Sequence, residues 1–332
     1  MRADVLSLTP QGLRCEAGGF HIDPWRPVAR AVITHGHADH ARPGHGAYLC
    51  TPEAAPVLRH RLGDVRIETL EYGLATGIGA TRVSLHPAGH VPGSAQVRVE
   101  SQGAVWVVSG DYKLQDDGLT APFEPVRCDT FVSECTFGLP VFTWPAQQAV
   151  MAEIRAWVEA AAAEGRTPVI AAYSLGKAQR LIAGLADLAP IRTHGAIEAT
   201  TAVMRAQGLP LPPTEPVTDP KAQRGRLVLA PPAALGSGWL RRFGPVATAS
   251  ASGWMRLRGI RRRRGVERGF VISDHADWPG LNAAIAATGA GTVFVTHGYT
   301  GVFRRWLEAQ GYDAHILATE FADDDAEEEH DG

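Results

Sequence analysis

The sequence predicts an α/β fold in two parts, one of which interrupts the other in the chain. Three observations carry this. Short apolar strands before residue 138 run directly into histidine or acidic residues, strand–helix alternation takes over from 139 to 265, and the first texture returns from 266 to 320. A chain of 332 residues holds one large or two medium domains. Its 45% hydrophobic and 20% charged residues are those of an ordinary globular protein.

Leu13-Arg14-Cys15 and Phe20-His21-Ile22 read as paired strands around the turn Ala17-Gly18-Gly19. Ala31 to Thr34 is a buried strand leading through His35 into a predicted helix. Thr81 to His86 and Gln96 to Glu100 alternate on either side of a Gly/Pro loop that carries His90. Ala104 to Ser109 and Phe131 to Ser133 are buried strands that end in Gly110-Asp111 and Glu134. In the middle block, apolar Val150, Ile154, Val158 and Ala162 recur every four residues and predict a helix from Pro145 to Gly165. Pro168 to Tyr173, Ile191 to His194 and Arg226 to Leu229 read as strands, Gly176 to Leu188 as a helix, and 209–216 as a loop. Later, Phe270 to Ser273 and Thr292 to Thr296 are predicted strands flanking a helix from Pro279 to Thr288, and each precedes a histidine, His275 or His297.

Residues 35 to 40, His35-Gly36-His37-Ala38-Asp39-His40, place four candidate metal ligands within six positions. Without a metal, such a loop must keep three imidazoles and a carboxylate solvated; imidazole with carboxylate suits Zn²⁺ or Mn²⁺. His90, Asp111, Glu134, His275 and His297 share the same place at or just beyond strand ends, where α/β sheets hold ligands. Asp23 follows Phe20-His21-Ile22 and is placed to hydrogen-bond a ligand loop from behind.

These residues carry a resemblance. His-x-His-x-Asp-His after a strand, then a lone His90 and a lone Asp111, resembles the metallo-β-lactamase fold of dinuclear hydrolases. Ser133-Glu134-Cys135-Thr136-Phe137, Ser273-Asp274-His275-Ala276-Asp277 and Val295-Thr296-His297-Gly298 resemble the further motifs of the β-CASP nucleases. Residues 15 to 50, with Ser250 to Met255 and Thr296 to Tyr299, are similar to the bacterial ligase-associated DNA exonucleases. The resemblance implies a metallo-β-lactamase αββα sandwich formed by 1–138 and 266–320, with a β-CASP α/β domain inserted at 139–265. It implies two divalent metal ions, one held by His35, His37 and His90, the other by Asp39, His40 and His297, with Asp111 bridging. Asp39 belongs to the catalytic set on this reading, Glu134 orients His275, and His275 is the general acid. A hydroxide shared by two such ions is a nucleophile at neutral pH, and phosphodiester hydrolysis is the reaction that this set fits. The implied role is a DNA exonuclease of 5′→3′ polarity acting on single strands or duplex ends, in repair alongside a DNA ligase and a helicase. His297 also suits the RNA-processing branch, so a β-CASP ribonuclease is the alternative. A thioesterase or lactonase is disfavoured, because those relatives lack the Glu134/His275 pair and the insertion.

The remaining features concern substrate and compartment. Six arginines fall in the nine residues 256–264. Arg256, Arg258, Arg261 and Arg262, with Lys177 at a strand-to-helix turn, are the candidate phosphate contacts; a solvated charged edge is the plain alternative. Trp25, Trp254 and Tyr299 lie beside motif residues, where core packing competes with base stacking. Eight acidic residues between Glu320 and Asp331 predict a disordered tail at 321–332, and setting them aside turns the formal charge of −3 into +5. Cys15, Cys50, Cys128 and Cys135 have no framework spacing and are expected as free thiols. No stretch nears the roughly 20 apolar residues of a membrane span, and Met1-Arg2-Ala3-Asp4 has no signal-peptide layout. A cytoplasmic location, away from membranes, is expected.

Overall fold

Side-chain alternation explains how the strands are used. A computed structural model describes residues 4–263 and 265–319; the expected tail at 321–332 lies outside the described residues. Residues 4–142 and 275–319 form one unit, and 143–274 a second. The first sheet has the order β1 (Ser7–Thr9), β2 (Gly12–Cys15), β3 (Phe20–Ile22), β4 (Ala31–Val32), β5 (Tyr48–Cys50) and β6 (Ile67–Thr69), with helix α1 (Ala55–Leu62) between the last two in sequence. Four further strands follow as an antiparallel run: β7 (Ala75–Ile78), β8 (Thr81–Pro87), β9 (Ala95–Ser101) and β10 (Ala104–Val108). Next, β11 (Thr130–Cys135) pairs parallel to β10.

The second unit has an all-parallel sheet. Its elements in chain order are α2 (Gln147–Ala163), β12 (Thr167–Ala171), α3 (Lys177–Gly184), β13 (Ile191–Thr193), α4 (Gly195–Ala206), β14 (Thr214–Pro216), β15 (Val228–Ala230), α5 (Pro232–Leu235), β16 (Val246–Ala251), α6 (Arg258–Arg263) and β17 (Arg268–Phe270). The sheet order is β14-β13-β15-β12-β16-β17. Helix α2 buries Val150, Met151, Ile154, Val158 and Ala161, the three-to-four spacing that a single buried face requires.

Two expectations are corrected here. The loop expected over 209–216 contains β14, which three register pairs tie to β13; its sequence, Thr214-Glu215-Pro216, has no apolar alternation to announce an edge strand. The strand expected at 270–273 ends at Phe270 and pairs with β16, so it belongs to the sheet of the second unit. His275 therefore stands at the end of an irregular segment rather than on a strand of the first unit.

The chain then returns to the first unit with α7 (Trp278–Thr288), β18 (Thr292–Gly298), α8 (Thr300–Ala309) and β19 (Asp313–Ile316). These strands complete a seven-stranded sheet of order β19-β18-β11-β10-β9-β8-β7. Alternate residues of β10 and β11 go to opposite faces, as a period of two demands. Trp106, Val108 and Val132 pack against Leu13, Phe20, Ile22 and Leu49 of the first sheet. Val107, Phe131, Val293 and Val295 pack instead with Leu281 and Ile285 of α7 and Phe303 and Leu307 of α8. On the outer face of the first sheet, Ala31, Ile33 and Tyr48 pack with Ala55 and Leu58 of α1. Each buried valine, leucine, isoleucine or phenylalanine among these contributes about 1.5–3 kcal/mol, and coverage on both faces explains the unbroken apolar runs of the central strands. The four cysteines are free thiols, Cys128 half-buried and the others buried. Among the described residues no helix is long and apolar enough to cross a membrane.

Candidate metal centre

The loops beyond β4, β8 and β10, together with β11, β18 and the segment at His275, bring the candidate ligands of the first unit together. The segment after His35 is a single turn, closed by the Ala41 N–H donating to the His37 carbonyl at 2.9 Å, and not the expected helix. A tighter turn is what lets four neighbouring side chains converge.

Three groups form. His35, His37, His90 and Asp111 offer ligand atoms within 4.8 Å of one another; so do His40, Asp111 and His297, and so do Asp111, Glu134 and His275. In the first, His35 Nε2 and His90 Nε2 each lie 3.0 Å from His37 Nδ1. Asp111 Oδ2 stands 3.4 Å from His35 Nε2, 3.5 Å from His40 Nε2 and 3.6 Å from His90 Nε2, and Oδ1 is 3.9 Å from His297 Nδ1. One carboxylate thus faces both imidazole groups. Asp39, 47% exposed in its side chain, lies 3.4 Å from His40 Nε2.

The support behind these ligands decides which ring nitrogens face inward. Asp23 Oδ1 accepts the Thr34 N–H at 2.8 Å, and Oδ2 accepts the Thr34 hydroxyl at 2.5 Å and His40 Nδ1–H at 2.8 Å. With its proton given to Asp23, the Thr34 oxygen is left to accept His35 Nδ1–H at 3.1 Å. Both rings therefore turn Nε2 inward. Asp23 itself has φ +42, a conformation that aspartate tolerates better than most residues. Sequence reasoning misses Thr34; its position directly before the first histidine is the signal. Gly110 allows the close approach, since a Cβ there would lie 2.6 Å from Thr34 side-chain atoms.

His297 is reached by an irregularity. The β11–β18 pairing slips one register between Glu134 and Cys135, and His297 and Gly298 take φ +58 and +70. The bulge turns the His297 side chain toward Asp111, while its carbonyl meets Cys135 Sγ at 2.9 Å. His275 Nδ1 lies 2.9 and 3.0 Å from the two oxygens of Glu134. Glu134 is 1% exposed in its side chain and also accepts the backbone N–H of Tyr112 at 3.0 Å.

The charge pattern fits cations. Burial pushes the His35 pKa well below the usual histidine value, helped by neighbouring His40, so its ring is neutral. Burial also opposes charge on His40, but Asp39 and Asp111 hold its pKa well above the usual value. Burial opposes ionisation of Asp111, yet His40, His275 and His35 keep its carboxyl well below the usual range. The Asp39 carboxyl, although half-exposed, is crowded by protein that opposes its charge, and His40 above all outweighs this and lowers its pKa. His40 Nε2 and Asp111 Oδ1 are buried and make no hydrogen bond. Two buried polar atoms outside any hydrogen bond, among inward-facing imidazole nitrogens and an ionised carboxylate, fit a donor set built for divalent cations. A cavity of about 590 Å³, open mouth included, adjoins this set between His40, Asp111 and His297 on one side and Trp25 and Leu317 on another.

No family model matches the chain. A protein of Opitutus terrae named "Probable DNA ligase" is 31% identical over 310 residues, 92% of this chain and 30% of that protein. A protein of Saccharolobus solfataricus named "RNase aCSPSF2" is 31% identical over 119 residues, 35% of this chain and 24% of that protein. The chain thus spans less than a third of the length of either relative. These relatives support a place in the metallo-β-lactamase/β-CASP nuclease superfamily. They imply the metallo-β-lactamase fold for the layered first unit. A crystal structure of a protein of unknown function from Enterococcus faecalis V583 has a similar fold, with a TM-score of 0.58 at 11% identity, covering 87% of this chain and 79% of that one.

The other predicted residues fall in the second unit. Arg256, Arg258 and Arg262 are exposed; the side chain of Arg261 lies outside what is described. Lys177 does not join them. It is 3% exposed, with its ammonium 4.4 Å from the Tyr173 ring centre, so it offers almost no surface to a polyanion. Trp254 is 3% exposed and serves the core.

Proposed function

We propose that this protein is a metal-dependent nuclease that hydrolyses phosphodiester bonds, with DNA as its substrate and a DNA exonuclease as its specific activity. The pairing of His40 Nε2 and Asp111 Oδ1, buried and outside any hydrogen bond, with a Glu134-held His275 carries this reading. On it, His35, His37, His90 and Asp111 hold one divalent ion, and Asp39, His40, Asp111 and His297 a second. The first unit, with helix, sheet, sheet and helix in layers, is read as the αββα sandwich, and the second unit, 143–274, as its β-CASP insertion. Bound there, divalent ions supply acidity to water near neutral pH and neutralise phosphate charge.

The chain's own groups supply the rest. Asp23 and Thr34 hold Nδ1 of His40 and His35, so that both rings face Nε2 inward without rearrangement. Glu134 takes His275 Nδ1–H and leaves Nε2 as the atom that delivers a proton to the departing sugar oxygen. The exposed Arg256, Arg258 and Arg262 grip the phosphate backbone and carry no base-specific reading. The "Probable DNA ligase" relative, matched across 92% of this chain, favours DNA and a role in repair beside a ligase. The match to a named RNase favours the second reading, a ribonuclease, over a shorter stretch.

The test is metal-stripped protein resupplied with Mn²⁺ or Zn²⁺ and given matched DNA and RNA strands labelled at either end. Mononucleotides released from DNA are expected, with no cleavage before metal is added. Faster cleavage of RNA, or internal cuts, would move the assignment to the ribonuclease; cleavage of neither polymer would remove the nuclease reading. Replacing Arg256, Arg258 and Arg262 together with alanine is expected to weaken binding equally across sequences. The dependence of log affinity on log salt should flatten by about 0.7 for each phosphate of a single strand that is no longer neutralised. Titrations by fluorescence anisotropy at several salt concentrations check this, and an unchanged slope would clear these arginines of the role.

A further inference from the structure

The loops that carry His90 and Asp111 meet through side chains that belong to neither ion cluster. Lys113 follows Asp111 by two residues, and its side chain is wholly buried. Its ammonium lies 2.5 Å from Oδ2 of Asp117, a carboxylate only 3% exposed. The other oxygen, Oδ1, accepts the backbone N–H groups of Leu119 and Thr120 at 2.9 and 3.1 Å. The Thr120 hydroxyl stands 3.1 Å from both that oxygen and the Gly89 carbonyl, and donates to one at a time. Across the same seam, the Lys113 N–H donates to the Ala88 carbonyl at 3.1 Å. Gly89 has φ +75, and a Cβ on it would lie 2.2 Å from the Lys113 carbonyl oxygen, so the two backbones touch. His90 is the next residue.

A buried ion pair is poor evidence for stabilisation, since replacing both partners by neutral groups is often harmless to a fold. Its placement beside two ligand loops calls for another account. We propose that Lys113 and Asp117 are a positioning pair: they hold the 111–120 loop closed against 88–90 and so set the spacing of His90 and Asp111. That spacing fixes the affinity of the His35, His37, His90 and Asp111 cluster for a divalent ion. The inference rests on the reading of that cluster as a metal site.

Electrostatics alone predicts the opposite outcome, which makes the test sharp. Removing a lysine cation near a cation site should strengthen metal binding; loss of positioning should weaken it. The experiment titrates Mn²⁺ into the metal-free full chain by calorimetry and follows thermal unfolding in parallel. Lys113→Met is expected to lower Tm and weaken Mn²⁺ binding, because Asp117 is left buried without its cation. The double variant Lys113→Met/Asp117→Asn keeps the net charge and the Oδ1 acceptor. It is expected to recover most of the lost Tm while Mn²⁺ binding stays about 10–100-fold weaker than wild type, the usual cost of losing support behind a metal ligand. Wild-type Mn²⁺ affinity in the double variant, or tighter binding in Lys113→Met, would overturn the positioning role and leave the metal site standing. Failure of the unaltered protein to bind Mn²⁺ would instead remove the site itself. Neither result depends on which polymer is cleaved.

Discussion

Asp111→Asn is expected to abolish cleavage, with a loss of about 10³-fold or more, equivalent to about 4 kcal/mol of transition-state stabilisation. Asp111 faces both imidazole groups: its Oδ2 lies 3.4 to 3.6 Å from His35, His40 and His90, and its Oδ1 3.9 Å from His297. An amide has nearly the same shape but carries no charge and turns a donor toward one of those sets. Both ions should then be held more weakly, so elemental analysis after dialysis should find fewer ions per chain. A single-site ligand such as His297 should cost one ion only. If Asp111→Asn retained two tightly bound ions and full rate, the bridging assignment would be wrong.

His275→Ala is expected to lower kcat by about 10²–10⁴-fold, the usual contribution of a positioned acid, while metal content stays at the wild-type level. The two losses are separable because His275 is held by Glu134, through Nδ1. The decisive comparison uses two leaving groups. A sugar alkoxide needs a proton to depart, whereas p-nitrophenolate does not. Against a p-nitrophenyl phosphodiester the His275→Ala defect should shrink to a small factor. An equal loss on both substrates would show that His275 acts otherwise, and loss of metal would reassign it as a ligand. Glu134→Gln should fall between wild type and His275→Ala on the natural substrate, since the ring keeps one hydrogen bond but loses the anion beside it.

Much of the centre was legible in the sequence because its information is local. Four ligand-type residues in six positions need no knowledge of the fold to be noticed, and Val- and Ile-rich runs covered on both faces announce central strands by composition. Asp23 could be placed behind the ligands because it ends a short strand. The arginine run was equally plain, and exposure bears on it only by separating Arg256, Arg258 and Arg262 from the buried Lys177.

What the tertiary structure alone decided depends on pairing between distant segments. The strand before His275 is read from its own residues as a neighbour of the ligand strands, yet its partner is β16 in the other unit, and nothing within Arg268–Phe270 names that partner. The bulge that swings His297 toward Asp111 is a one-residue slip between strands more than 150 positions apart in the chain. The tautomers of His35 and His40 follow from hydrogen bonds to Thr34 and Asp23, and the Lys113–Asp117 seam from the approach of Thr120 to Gly89. Sequence determined which chemical groups are available and roughly where strands run, because short-range periodicity is set by backbone geometry. Structure determined which atoms of those groups face one another, because that is fixed by long-range register and packing.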